Sequence, residues 1–253
     1  MSTLAMIVSY RGAEFSGFAR QPEQPTVQGE LEHALQVLFR RPVETTCAGR
    51  SDAGVHARGQ VVSFDLTEDE LQGRSFIKLR RSLNAITHPD ITVKLVEQRE
   101  DGFSARFDAQ AREYRYFISV GEIRPVFMRD LSWHVPGTLD VAAMERASRC
   151  LIGEHDFKSF CRAASAVGKP TCRNLMEISF EEEEHFGEKL LVVRIVGSSF
   201  LHSMVRTIVG SLVMVGKGYR DEGWIEKALE ARDRAAAGEC APAQGLVFWE
   251  VRY

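Results

Sequence analysis

The order of periodic segments limits this chain more than any other feature does. Alternation and β-branched residues mark a strand at Leu4 to Tyr10, and Pro25-Thr26 opens a helical pattern from Val27 to Arg41 that Pro42 ends. Strands at Val43 to Gly49 and Gln60 to Leu66 follow, then a helix from about Asp69 to Ile86 and a strand at Ile91 to Val96. That order is βαββαβ. After Arg106 it recurs: a strand at Arg112 to Val120, an arm through Trp133, a helix from Asp140 to about Cys161, strands at Leu175 to Glu183 and Leu190 to Val196, a helix from Leu201 and a last strand at Leu246 to Tyr253. The expected fold class is α/β (α+β), with two tandem split-βαβ halves at residues 1–108 and 109–253 and an extra helix, Glu222 to Arg232, inserted in the second. RNA-binding modules reuse the open sheet face of this unit.

A chain of 253 residues, 44% hydrophobic, can bury its own core. A net charge of −3 excludes a general polycation, yet the 32 basic residues are 25 Arg and 7 Lys. The planar guanidinium suits phosphates and base edges, although Arg-rich codon usage gives the same bias. Five cysteines, never closer than eleven positions, fit reduced thiols better than a disulfide framework or zinc knuckle. The start of the chain lacks the pattern of a signal peptide, so a cytoplasmic location is expected. Its most apolar helix, Met204 to Gly216, carries no more than 13 residues, too few to cross a bilayer.

Three segments can carry chemistry. The first is Gly49-Arg50-Ser51-Asp52-Ala53-Gly54-Val55-His56-Ala57-Arg58-Gly59, where three glycines at a spacing of five punctuate a constrained loop between two strands. It holds one carboxylate, Asp52, which in the bland reading only forms an Asx turn; His56 can be an acid or base, or a packed loop histidine. The segment nearly spells a serine nucleophile elbow, but Gly54 and Gly59 forbid the long helix that motif requires. In the second, Arg112-Glu113-Tyr114-Arg115-Tyr116, alternation places Arg112, Tyr114 and Tyr116 on one strand face, fit to stack a base and hold its phosphate, or simply to pack. The third is Ser199 to Arg206: no Asp or Glu occurs from Lys189 through Arg220, so Arg206 must pair across the fold, bind an anion or reach solvent. Another acid-free run, Arg74, Lys78, Arg80 and Arg81, either contacts a phosphate backbone or forms a solvated helix face. The seven histidines show no metal-ligand spacing.

On these segments the chain resembles the tRNA pseudouridine synthase A (TruA) family over nearly its whole length. The loop Gly49 to Ala57 is similar to the family's catalytic signature, with Ser51 where threonine is usual. The resemblance implies that Asp52 is the nucleophilic aspartate and that Arg50 acts in flipping the target base. Phe103 through Tyr116 resembles a second signature, with Tyr114 packing on the uracil, and Phe200 through Arg206 a third, with Arg206 pairing with the catalytic carboxylate. The ending Ala241 to Leu246 is also similar, and implies that Leu246 lines the pocket. Departures occur near the amino terminus at Arg11, Phe18 and Ala19, and at Ser104, and bear on peripheral tRNA contacts.

The resemblance further implies sheets joined around a basic cleft, a homodimer holding a tRNA across both subunits, and uridines 38, 39 and 40 of the anticodon stem-loop as substrate. The implied reaction, an isomerisation at the glycosidic bond, neither consumes water nor changes redox state, so no cofactor, metal or membrane is expected. Two other readings compete: a noncatalytic RNA-binding module on the same fold and, more remotely, a serine hydrolase using Ser51.

Overall fold

Alternation over the first ten residues builds β1 (Ser2–Tyr10) in the computed structural model, which describes every residue from Met1 to Tyr253. The chain divides into two units, Met1–Arg112 with Phe248–Tyr253, and Glu113–Val247. In the first, Thr26 caps α1 (Val27–Phe39): its hydroxyl accepts the Gly29 amide at 3.2 Å, and buried Val27, Leu31, Ala34 and Leu35 form one stripe. α1 ends at Arg40, which takes left-handed backbone (φ +56°) before Pro42 is reached. There follow β2 (Thr46–Cys47), β3 (His56–Leu66), α2 (Glu68–Leu71), α3 (Phe76–Ile86) and β4 (Ile91–Gln98). The strands lie in the order β4-β1-β3 with β2 on β3, all antiparallel, as in a split-βαβ unit. Leu4, Met6 and Val8 of β1, Leu31 and Leu35 of α1, Val62 and Leu66 of β3 and Leu83 of α3 are completely buried and make its core.

The second unit is built from β5 (Ala111–Val120, its first two residues in the first unit), β6 (Trp133–Val135), α4 (Val141–Ser148), β7 (Gly153–Asp156), α5 (Ala163–Ala166), β8 (Cys172–His185), β9 (Glu188–Gly197), α6 (Met204–Gly216) and α7 (Trp224–Ala231). Strand order is β5-β9-β8-β7, with β6 parallel to β5. A two-residue turn at Phe186 and Gly187, both at positive φ, joins β8 to β9, the turn geometry that matches strand twist. Ile118, Val192, Val193, Ile195, Ile208, Val209 and Leu212 fill this core. The final strand, β10 (Leu246–Arg252), lies next to β3 with its residues from Phe248 onward. No helix is long and apolar enough to cross a membrane.

Several expected elements are shorter. The strand expected at Val43 to Gly49 pairs only at Thr46–Cys47, because the chain then bends into the glycine loop. The helix expected from Asp69 to Ile86 is split at Gly73, whose φ is +69°. The helix expected from Asp140 to Cys161 stops at Ser148, since Gly153 (φ +108°) turns the chain and Gly153–Asp156 pairs with β8 instead. α6 starts at Met204 and not Leu201, after Ser203 at φ +60°, which puts Arg206 in its first turn.

Candidate active site

In the first unit each glycine of the Gly49–Gly59 loop has its own reason. A Cβ on Gly49 would meet the Phe248 ring at 2.8 Å, one on Gly59 would meet the Trp249 carbonyl oxygen at 2.7 Å, and Gly54 is left-handed at φ +77°. The apex is a backbone turn, with Val55 N donating to Asp52 O at 3.2 Å. Asp52 is half-buried there and Arg50 is exposed on the same loop.

The loop is gripped from two sides. Completely buried Gln60 clasps Gly49: its Oε1 accepts the Gly49 amide at 3.3 Å and its Nε2 donates to the Gly49 carbonyl at 2.6 Å. On the other flank the segment after β1 folds over the loop. The Tyr10 and Ser51 hydroxyls share a buried hydrogen bond of 2.7 Å, Phe18 N donates to Ser51 O at 3.1 Å, and Gly12 N donates to His56 Nδ1 at 3.0 Å. A Cβ on Gly12 would lie 2.1 Å from Val55 O, and one on Gly17 3.0 Å from Ser51 O. Burial pushes the Tyr10 phenol far above its usual range, so it stays a neutral hydroxyl. Ser51 is thus a buried structural hydroxyl rather than a hydrolase nucleophile. Nδ1 of His56 accepts a backbone N–H, and the ring is 3% exposed, which makes it a packing residue of the loop.

The amino-terminal departures fall in this gripping segment. Phe18 is completely buried, whereas Arg11 is exposed and Ala19 half-buried, so Phe18 packs the loop's flank rather than touching a substrate at the periphery.

In the second unit, Tyr114 of β5 is 7% exposed and meets Phe200 edge-on, ring centres 5.1 Å apart. Tyr116, two residues on, is completely buried, with its hydroxyl donating to Pro242 O at 2.7 Å. Arg112, on the same strand face but in the first unit, is spent on backbone: it donates to the carbonyls of Ala48, Ala109 and Arg106. The expected base-stacking, phosphate-holding face therefore reduces to Tyr114. On the opposite face Glu113 sits between Arg115 (3.0 Å) and Arg194 (3.1 Å), extended by Arg115–Glu183 and Arg194–Glu177.

Half-buried Arg206 donates from Nε to Ala241 O at 2.8 Å, and its own carbonyl accepts the Ala241 amide at 3.1 Å. The strap from Gly238 to Leu246 is fixed at further points. Gly238 N donates to Ser211 Oγ, a Cβ on Gly210 would strike Glu239 O at 2.0 Å, and one on Gly245 would strike the Tyr116 ring at 2.6 Å. Leu246, at the end of the strap, is 4% exposed. The first turn of α6 adds the positive end of a helix dipole to the Arg206 charge, an arrangement that favours an anion.

The structure thus groups Asp52 and Arg50 on one loop of the first unit, and in the second it sets Arg206 and Leu246 at the strap and Tyr114 against Phe200. Sequence reasoning missed Tyr10, Gly12, Gly17 and Gln60 below the loop, and Gly210 and Ser211 below the strap, and it offered Tyr116 for base stacking where the residue instead holds the strap. The paired glycines 12 and 17 after a strand were a readable signal; a glutamine in a strand carried none. No cluster of His, Cys, Asp and Glu has metal-site geometry, and none of the five cysteines is in a disulfide. Burial lifts the Cys47 thiol to about 11, which keeps it protonated and inert.

A split-βαβ scaffold hosts many functions, and the comparison with known sequences gives the class of this one. The chain belongs to the tRNA pseudouridine synthase family, whose model matches residues 6–108 and 147–253. It is 42% identical to tRNA pseudouridine synthase A of Brevibacillus brevis over 253 residues, all of both chains. With the enzyme of the same name from Vibrio campbellii it shares 41% over 250 residues, 99% of this chain and 91% of that one. The protein is an isomerase that forms pseudouridine in tRNA, and the noncatalytic reading gives way to this. Tyr114 lies between the two matched segments of the family model, within the full-length match to the Brevibacillus enzyme.

Proposed function

We propose that this chain converts uridine to pseudouridine at positions 38, 39 and 40 of the tRNA anticodon stem-loop, with Asp52 as nucleophile. The observation that carries the reading is the loop itself: a half-buried carboxylate at the apex of a turn, gripped on both flanks by buried hydrogen bonds. A group fixed in this way spends little entropy on reaching the attack geometry. The reaction breaks the C1′–N1 bond, rotates the base and joins C1′ to C5; the C5 proton leaves and N1 gains one, so the product is an isomer. Asp52 attacks as the nucleophile, at C1′ of the sugar or C6 of the base.

The target uridine must leave its stack, at a cost of a few kcal/mol. In this reading Arg50, exposed on the loop, fills the gap, Tyr114 stacks on the extruded uracil for about 1 to 3 kcal/mol, and Leu246 closes the pocket. The enzyme works in the cytoplasm as a homodimer that holds a tRNA across both subunits, and the chemistry draws on no cofactor.

The test is tritium release from undermodified tRNA labelled at C5 of uridine. Asp52→Asn should abolish release while keeping tRNA binding within about tenfold, roughly 1.4 kcal/mol. Release at the wild-type rate by that variant removes Asp52 from the chemistry. Site mapping of the product decides the positions: pseudouridine outside 38 to 40 overturns that part.

A further inference from the structure

The acid-free run from Arg74 into α3 does not act as one surface. Arg74 turns back on its own neighbourhood, donating to Glu70 O at 2.6 Å with its guanidinium 4.8 Å from the centre of the Phe39 ring. Arg80 and Arg81 instead border an open groove of about 620 Å³ between α3 and the edge strand β4, shared with Asn84, Thr92 and Lys94. Three of its seven lining residues are cations and none is an anion.

The groove is rigidly built. The Asn84 side chain clasps β4, accepting the Val93 amide at 2.7 Å and donating to the Val93 carbonyl at 2.9 Å, and Arg80 Nη1 donates to Lys94 O at 3.1 Å. The pairing of β1 with β4 shifts between Leu95 and Val93, leaving Lys94 as the extra residue of a bulge, a device that re-aims a side chain. Its ammonium reaches across to donate to Arg58 O at 2.8 Å. Arg58, the third residue of β3, lies in the strand into which the Asp52 loop runs and stacks over Trp249 at 4.6 Å.

None of these four cations has a carboxylate within ion-pair distance, whereas Arg20, Arg41, Arg99, Arg115, Arg146 and Arg194 each have one within 3.3 Å. Like charges gathered without counter-charges repel: burial and the neighbouring Arg58 hold the Lys94 ammonium below its usual range. A polyanion relieves that repulsion on binding and releases its own counterions. Planar guanidiniums beside a lysine on a fixed floor match phosphodiester oxygens in particular.

We propose that Arg80, Arg81 and Lys94 form a binding groove for the phosphate backbone of the RNA substrate, outside the residues that act on the uridine. The partner's identity as RNA rests on the tRNA-modifying reading given above. The experiment uses the full-length protein carrying Asp52→Asn, so that binding is read without turnover, and an unmodified tRNA transcript titrated at several salt concentrations. Combining Arg80→Gln, Arg81→Gln and Lys94→Gln should raise Kd about 10- to 100-fold near 0.1 M salt and make the plot of log K against log salt shallower by roughly two, since each phosphate contact contributes about 0.7 to 0.9.

With Asp52 restored, the same three substitutions should raise KM for tRNA and leave kcat at saturation within about twofold. The pair Arg81→Gln and Lys94→Gln keeps the Arg80 contact to β4 and serves if the triple variant folds poorly; its slope should fall by at least one. An unchanged Kd and salt slope in a folded variant overturns the proposal, as does displacement of the transcript by polyglutamate at equal charge, which would assign the groove to acidic protein. Salt-dependent binding through these residues by a protein that forms no pseudouridine would keep the groove and remove the catalytic reading instead.

Discussion

Replacing Gln60 by leucine tests whether the carboxylate loop owes its placement to the clasp beneath it. Leucine occupies a similar volume on β3 and deletes both partners of the Gly49 peptide, the acceptor at 3.3 Å and the donor at 2.6 Å. A buried polar group stripped of its partner costs about 1 to 3 kcal/mol. Gly49 is half-buried, so water partly replaces what is lost and the low end applies, about 1 kcal/mol for each group and about 2 kcal/mol in all. At about 2 to 4 °C per kcal/mol for a chain of this size, Tm should fall by roughly 4 to 8 °C. Activity should suffer more than stability, because Asp52 lies three residues beyond Gly49 and a misplacement of about 1 Å in a reacting group costs on the order of a hundredfold. Tritium release under saturating tRNA should show kcat down about 10- to 100-fold with KM within about threefold. A wild-type kcat alongside the lowered Tm would refute the positioning role. An unchanged Tm would refute the energetic assignment to the clasp itself.

Three further expectations follow from the second unit and from the surface. Tyr116→Phe removes the hydrogen bond to Pro242 O, which should cost about 1 kcal/mol of stability and lower kcat several-fold through Arg206. In an Arg206→Met background the same change should have almost no added effect on kcat, and an additive loss would sever Tyr116 from Arg206. For Tyr114, the Leu variant should lose on the order of 10- to 100-fold in single-turnover rate if stacking is its whole role, while Phe stays near wild type; equal failure of both would assign the phenol a proton transfer. Arg41 beside Glu70 holds that carboxyl down to about 2 from 4.5, so the stability it lends is complete above about pH 4.5 and is lost as pH falls toward 2. Arg41→Met should flatten that part of the acid-unfolding curve, and a curve of unchanged slope would show that the pair contributes nothing.

The residues legible in the sequence were those whose role depends on near neighbours. Pro25-Thr26 announced the start of α1, because a cap and a fixed φ act within one turn. Three glycines at a spacing of five announced a constrained loop around Asp52, and period-two alternation separated Tyr114 and Tyr116 from Glu113 and Arg115 on β5. What local pattern left open was decided by partners far along the chain. The helical pattern after Asp140 lost its second half to pairing between Gly153–Asp156 and a strand about twenty residues later. Arg112 looked like a phosphate ligand until the distant Ala48 carbonyl, with those of Ala109 and Arg106 nearby, took its guanidinium. Likewise Arg74, Arg80 and Arg81 belong to one acid-free run, yet Arg74 lies in the turn before α3 and folds back on Phe39, while the approach of β4 gives Arg80 and Arg81 a groove to border. Propensity and periodicity act over a few residues and can be read in one dimension. A buried hydrogen bond or an unneutralised cluster of charge exists only once distant segments are brought within a few ångströms, where dielectric and sterics, not sequence spacing, set its energy.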